Sequence, residues 1–292
     1  MNKTDDLVGL INEKFQAMSK GHKQIADYIL SHYDKAAYMT AIKLGDSAGV
    51  SESTIVRFAM ALGFEGYPEL QKALQDMVRN KLTTIQRMDM TAELSESMLL
   101  RSVLKADLNN MKLTIDEINT DIYEEIVDEV YAAKKVYIMG ARSSAPLAQF
   151  LGYYLNFILE NVRVVTSNVN DILEQVIHIG EDDVLICISF PRYSRKIIEA
   201  VKFAKKRKSS IISITDSYKS PLTKYSKLSL TATSDIASFV DSLVAPMSLI
   251  NALIVSIGLR KKQEVEEHFM ELEKIWEEYN VYIEKDNGND LT

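Results

Sequence analysis

Residues 39–64 read MTAIKLGDSAGVSESTIVRFAMALGF. Their small, polar and apolar positions predict two short helices joined by a tight turn. Thr40 is placed to cap a helix over AIKLGDSA, and Gly49 can end that helix in the left-handed conformation that glycine tolerates. Ser51 is placed to cap a second helix, ESTIVRFAMAL, which ends at Gly63. Two short helices around a glycine-containing turn of three or four residues make a helix-turn-helix. Gly45 is small where the second helix must approach closely. Ile55 is apolar and branched where that helix faces the first, and Phe58 and Leu62 continue the face. The other side offers Ser51, Glu52, Ser53, Thr54 and Arg57, short polar groups and one cation near the helix start. A recognition helix presents such groups to base edges and phosphates. The same spacing also fits an ordinary helical hairpin, and residues 1–80 carry about as many acids as bases, so bulk charge does not separate the two.

Outward from this hairpin, AGVSESTIVRFAMALGFEGYPELQKAL (48–74) resembles the N-terminal domain of the RpiR (MurR/RpiR) transcription regulators, the tail after Gly63 being particular to them. The resemblance covers the first quarter of the chain. It implies a helical DNA-binding domain in which Ser51, Ser53, Thr54 and Arg57 contact DNA, with Lys43 of the preceding helix on a phosphate.

From about residue 136 to 233 the texture changes to short apolar runs: VYIMG, VRVVTS, DVLICISF, SSIISITD and LSLTAT. Helical stretches separate most of them, the βαβ signature of a parallel sheet flanked by helices. The expected fold is therefore an all-α helix-turn-helix domain followed by an α/β domain with a five-stranded parallel sheet. Residues 78–125 lack glycine and proline and read as a helical linker. Past Arg260, Val265, Phe269, Leu272, Trp276 and Tyr279 recur at helical spacing. They predict a terminal helix that packs on its own domain or on another subunit, ahead of a tail, KDNGNDLT. The boundaries drawn on this basis are 1–77, 78–125, 126–260 and 261–292.

In parallel α/β sheets ligands sit beyond the carboxyl ends of the strands, where strand order reverses. Two loops suit that place. VYIMG runs into Gly140, Ala141, Arg142, Ser143 and Ser144 before a helix, and DVLICISF ends in Ser189, Phe190, Pro191, Arg192, Tyr193 and Ser194 before another. Hydroxyls, a guanidinium and backbone N–H groups at a helix start can hold an anion. A dinucleotide fingerprint would need glycines at 142 and 146, where Arg142 and Pro146 stand. The domain resembles the SIS (sugar isomerase) fold over about residues 126–260, which implies phosphosugar binding. By that resemblance Ser143, Ser144, Ser189 and Ser194 match the hydroxyl positions, while Arg142 and Arg192 stand in place of glycines and Pro191 in place of a serine. Pro191 removes a donor, and the arginines can replace it by bidentate contacts to a phosphosugar or a related acidic sugar. Alternatively Arg192 pairs with an internal acid such as Asp241 and partly closes the pocket.

A rival reading is a sugar-phosphate isomerase, whose proton transfer needs a general base. In DILEQVIHIG, Glu174 and His178 lie four apart and would share a helix face. A third is a protein-interaction module using the acidic C-terminal helix. The basic run KFAKKRK (202–208) closes a helix, where cations suit the helix dipole. No cofactor is expected, and the four scattered histidines and single cysteine have no zinc spacing. The absence of any long apolar run, a polar N-terminus and the lone Cys187 in an apolar segment point to a cytoplasmic setting without a membrane partner. A net charge of −7 argues against nonspecific coating of nucleic acid. The expected partners are a double-stranded, palindromic DNA operator, a phosphosugar effector, and the chain itself as a dimer or tetramer.

Overall fold

The computed structural model describes residues 7–81, 84–89, 95–166, 171–236 and 239–282. The expected tail at 285–292 lies outside them, as do residues 82–83 and 90–94 of the expected linker. The chain divides into two compact units, residues 1–106 with 235–241, and residues 107–234 with 242–292.

The first unit is helical. Its elements are α1 (Leu7–Lys14), α2 (Lys20–Ser31), α3 (Tyr33–Ala36), α4 (Ala41–Ala48), α5 (Glu52–Leu62), α6 (Tyr67–Lys81) and α7 (Thr84–Asp89). It also takes the start of α8 (Glu96–Glu117). Apolar residues at helical spacing converge on one core of Leu7, Ile11, Ile25, Ile29, Leu44, Ile55, Phe58, Leu62, Leu70 and Leu74, all buried. Each such side chain contributes roughly 1.5–3 kcal/mol on leaving water. Polar groups of α6 close the seam with the segment ahead of α4: the Tyr67 hydroxyl donates to the Met39 carbonyl at 2.6 Å and Gln71 Nε2 to the same oxygen at 2.7 Å. Burial pushes the Tyr67 phenol up to about 12. Within the same unit the buried Arg87 of α7 donates to Asp241 at 3.4 Å.

The second unit is the α/β domain. After α9 (Thr120–Ala132) the strands β1 (Lys135–Gly140), β2 (Val162–Val165), β3 (Asp183–Ile188), β4 (Ser210–Thr215) and β5 (Leu228–Thr231) form one sheet. Its order is β2-β1-β3-β4-β5 and every pairing is parallel. The helices are α10 (Ala145–Ile158), α11 (Ile172–Gln175), α12 (Arg195–Lys206), α13 (Val244–Arg260) and α14 (Lys262–Glu278). The period of two along a strand explains why the runs are apolar throughout. Val184, Ile186 and Ile188 face a core built with α9, α10 and α13, whereas Leu185 and Cys187 face one built with α11 and α12. Cys187 is fully buried and its thiol pKa is pushed well up by desolvation, so it is a packing residue.

At Gly152 on α10, a Cβ would land directly on Cγ2 of Val164 in β2. Gly152→Ala is therefore expected to lower the stability of this unit by about 2 kcal/mol through overpacking. Adding Val164→Ala should recover more than half of that loss in thermal melts. A double variant no better than the single one would show that the contact is not the cause.

Among the described residues no single helix is long and apolar enough to cross a membrane. The pair α13 and α14 reaches that length and composition together, but with a bend of 103° between them. Helix α14 rests on α10, with the Phe157 and Phe269 rings 6.1 Å apart. Its stripe is only half covered: Val265, Phe269, Leu272 and Trp276 are half-buried, and Tyr279 is exposed.

Candidate functional site

The hairpin of α4 and α5 has the geometry its glycines require. The Thr40 side chain accepts from the Lys43 backbone N–H at 3.2 Å. Gly49 ends α4 at φ 70° and Gly63 ends α5 at φ 98°. Gly45 marks the close approach, because a Cβ there would sit 2.7 Å from the Val50 carbonyl oxygen. Ser51 occupies the N-cap position of α5, but its side chain does not cap the helix. Its hydroxyl instead pairs with the hydroxyls of Ser53 at 3.0 Å and Thr54 at 2.9 Å. The hydroxyl thus engages side chains two and three residues on and not the backbone, which corrects the cap expected from spacing.

Ile55, Phe58, Ala59 and Leu62 are buried, while Lys43, Ser51, Glu52, Ser53 and Arg57 are exposed and Thr54 half-buried. The six residues expected at DNA thus stand away from the core on α4 and α5. Arg57 Nε donates to the Ser53 carbonyl at 3.2 Å, which lays the guanidinium along the start of the helix. The first turn of α2 lies beside it, with the His22 ring edge-on to Phe58 at 5.6 Å. Desolvation there, helped by the Arg57 charge, holds the His22 imidazole below its ordinary pKa.

In the second unit, β1 is flanked by β2 and β3, so strand order reverses between β1 and β3. Gly140 pairs with Ile188 at the carboxyl ends of these two strands. The two loops singled out in the sequence leave from this place. Gly140 is required there, since a Cβ would strike the Ser144 carbonyl oxygen. Arg142 is held at φ 57° and Arg192 at φ 65°. A side chain in this left-handed region costs roughly 1–2 kcal/mol, so both loops keep a backbone suited to glycine while carrying a guanidinium.

Arg142, Ser143 and Arg192 are exposed and Tyr193 and Ser194 half-buried, but Ser144 and Ser189 are buried. Ser189 is tied into the sheet edge, its N–H donating to the Ile214 carbonyl at 3.1 Å and its carbonyl accepting from the Thr215 hydroxyl at 2.8 Å. Sequence reasoning missed the end of β4. There Asp216 accepts from the Tyr193 hydroxyl at 2.6 Å, from Thr215 at 3.1 Å and from Ser217 at 3.2 Å. The signal was present as Thr-Asp-Ser closing a neighbouring strand, where the carboxyl-end rule applies equally.

The isomerase pair does not form. Helix α11 ends at Gln175, and the chain continues through turns to Gly180, so Glu174 and His178 do not share a helix. The apolar spacing of Ile172, Val176 and Ile179 imitates a longer helix, but Gln175 turns back to bond both backbone groups of Thr166 and the chain re-enters the sheet. The basic run closing α12 is locally engaged: Lys205 donates to the Tyr225 carbonyl at 3.0 Å, Arg207 to the Ile177 carbonyl at 2.9 Å, and Lys208 lies 3.8 Å from Glu181.

Comparison with known proteins gives two family matches: a helix-turn-helix domain of the rpiR family at residues 6–81 and a SIS domain at residues 129–256. The chain is 30% identical to an HTH-type transcriptional regulator of Clostridium perfringens over 227 residues, covering 77% of this chain and 80% of that one. It is 23% identical to the HTH-type transcriptional regulator HexR of Pseudomonas aeruginosa, over 97% of this chain and 99% of that one. Two solved structures share the fold. The sugar isomerase domain of an RpiR transcription factor from Sphaerobacter thermophilus has a TM-score of 0.56 at 24% identity, over 59% of this chain and 96% of that one. The Vibrio vulnificus NanR protein, complexed with ManNAc-6P, has a TM-score of 0.55 at 21% identity, over 94% of this chain and 98% of that one.

Proposed function

We propose, since this chain belongs to the RpiR family of HTH-type transcriptional regulators, that it is a cytoplasmic regulator whose operator binding is set by a phosphosugar or related acidic sugar. As a member of that family it is a regulator and not an enzyme. The observation that carries the sensing half is the placement of the 140–144 and 189–194 loops at the reversal of strand order. In this reading Lys43, Ser51, Glu52, Ser53, Thr54 and Arg57 meet DNA. Gly140, Arg142, Ser143, Ser144, Ser189, Arg192, Tyr193 and Ser194 form the effector site, with the buried Ser144 and Ser189 shaping the loops rather than touching the ligand. The division of labour follows the segments 1–77, 78–125, 126–260 and 261–292, the second transmitting the change. The half-covered stripe of α14 supports self-association. A dimer would present two recognition helices to half-sites of a palindromic operator about 34 Å apart, and an effector favouring one arrangement would shift that spacing.

Arg57→Ala is expected to weaken operator binding at least tenfold while leaving effector binding unchanged, the loss of one charged contact to phosphate or base. Gel shifts of the operator and calorimetry of the effector on the same variant check this. A variant that loses both activities together would contradict the separation of roles. Footprinting that shows a monomer on one asymmetric half-site would rule out the dimeric mechanism.

A further inference from the structure

Within the helical unit, α2 packs on α4 and α5. Its residues 20–23 lie against the turn at Val50 and the start of α5, the helix read as entering DNA. A Cβ on Gly21 would stand 3.5 Å from Thr54 Cγ2 and 3.7 Å from Val50 Cγ1. One residue on, the half-buried His22 meets the Phe58 ring edge-on at 5.6 Å. Val50, Thr54 and Phe58 are spaced by four, so α2 borders one side of α5, beside the polar side that carries Ser53 and Arg57. Lys23 is occupied with the Phe15 ring, 5.7 Å from its centroid. Lys20 is exposed, and among the described residues neither it nor Arg57 forms an ion pair.

Packed helices stand about 8–10 Å apart, axis to axis, whereas the major groove is about 12 Å wide and admits one helix. A second helix held against the DNA-reading end of α5 therefore stays outside the groove, at the phosphate strand that walls it. We propose that Lys20 and His22 of α2 form a second edge of the DNA interface, gripping that phosphate strand while α5 reads the bases. This rests on the reading of α5 as the recognition helix. Lys20 acts as a fixed charge, releasing counterions from the phosphate it neutralises. His22 acts as a charge made on contact. Desolvation, and after it the Arg57 charge, hold its imidazole below the ordinary value, so the ring is neutral in the free protein at pH 7 and above. The charged side chains described on the helices packed against α2 are Lys35 of α3, Lys43 and Asp46 of α4, and Glu52 and Arg57 of α5. Of these, and of Lys20, Lys23 and Asp27 on α2 itself, only Arg57 shifts the ring. A phosphate beside it offsets Arg57 and raises the pKa again, so DNA binding takes up a proton and tightens as the pH falls.

The test uses the full-length protein and a duplex that it selects from random-sequence DNA, with binding followed by fluorescence anisotropy. Lys20→Gln is expected to weaken binding severalfold and to lower the slope of log affinity against log salt by about 0.9, the share of one phosphate contact. Lys35→Gln, which removes an exposed cation of α3, should leave the slope as it is. The parent should bind about three to ten times more tightly at pH 6 than at pH 8, and His22→Gln should remove that difference. An unchanged salt slope in Lys20→Gln, or an equal fall in Lys35→Gln, overturns the inference. So does a pH dependence that survives His22→Gln or is absent from the parent. If His22→Gln melts below the parent, calorimetry of the parent near pH 7 in two buffers of different ionisation enthalpy takes its place. Uptake of a proton on binding then supports the inference, and none overturns it. Arg57→Ala separates this edge from the reading beneath it. If that variant holds the duplex as tightly as the parent, α5 is not the recognition helix and both fall. If it binds weakly while the Lys20 and His22 variants keep the parent's salt slope and pH profile, only the second edge falls.

Discussion

Gly45→Ala is expected to unfold or strongly loosen the helix-turn-helix and to abolish operator binding at 37 °C. On an exposed helix this substitution stabilises by about 1 kcal/mol. Here the added methyl meets backbone, 2.7 Å from the Val50 oxygen with the Glu52 nitrogen at 3.4 Å, and backbone cannot rotate aside. Relief requires α5 to move away from α4, which opens the packing of Ile55 and Phe58 against Leu44. The net loss should be about 3 kcal/mol, or roughly 12–24 °C in the melting of a domain this small. Gly49 supplies the contrast. A Cβ there meets nothing within 4 Å, so Gly49→Ala has only the φ of 70° against it and should cost about 1 kcal/mol. Calorimetry of the two variants checks the ranking. A Gly45→Ala protein that melts with the parent would refute the close-approach argument.

The second large effect is expected at Gly140→Ala. Its methyl would strike the Ser144 carbonyl oxygen and press on the Ala148 Cβ at 3.0 Å. The turn at 142–144 is held by the Ser144 N–H on the Ala141 carbonyl at 3.1 Å, so the loop can escape only by breaking it and shifting Arg142 and Ser143. Effector affinity should fall by about a hundredfold or more, since a displacement of 1 Å suffices to disrupt a charged, bidentate contact. The melt of the second unit should fall by roughly 10 °C. Operator binding by the untouched first unit is expected to persist but to stop responding to the effector. Retained effector affinity in this variant would place the ligand elsewhere.

These glycines also show which parts of the molecule were legible in the amino-acid sequence. The hairpin could be read because its constraints are local: a left-handed residue at Gly49 and a missing side chain at Gly45 fall within a few residues of the groups they serve. The strands were legible for a similar reason, since runs such as VLICI admit burial on both faces. The order β2-β1-β3-β4-β5 was not, because pairing is decided by contacts between distant segments. Local spacing misled at Glu174 and His178, where an apolar rhythm suited to a helix is broken by Gln175 reaching back to Thr166. It misled at Ser51 as well, whose hydroxyl pairs with those of Ser53 and Thr54 and not with the backbone. Asp216 was overlooked because its role depends on Tyr193, 23 residues away. The arginines at 142 and 192 were visible as departures from a glycine pattern. That the backbone keeps the left-handed turn beneath them is a fact of the fold alone.

That turn has an evolutionary consequence. Glycine and arginine codons of the GGN and CGN types differ in one base, and at both positions the backbone already accepts glycine more readily than arginine. A single nucleotide change can therefore remove or add a cation in the loops after β1 and β3 without demanding any compensating change in the sheet. If those loops hold the effector, as proposed, a regulator on this scaffold can exchange one effector for another in small steps, with the DNA-reading half of the chain left as it was.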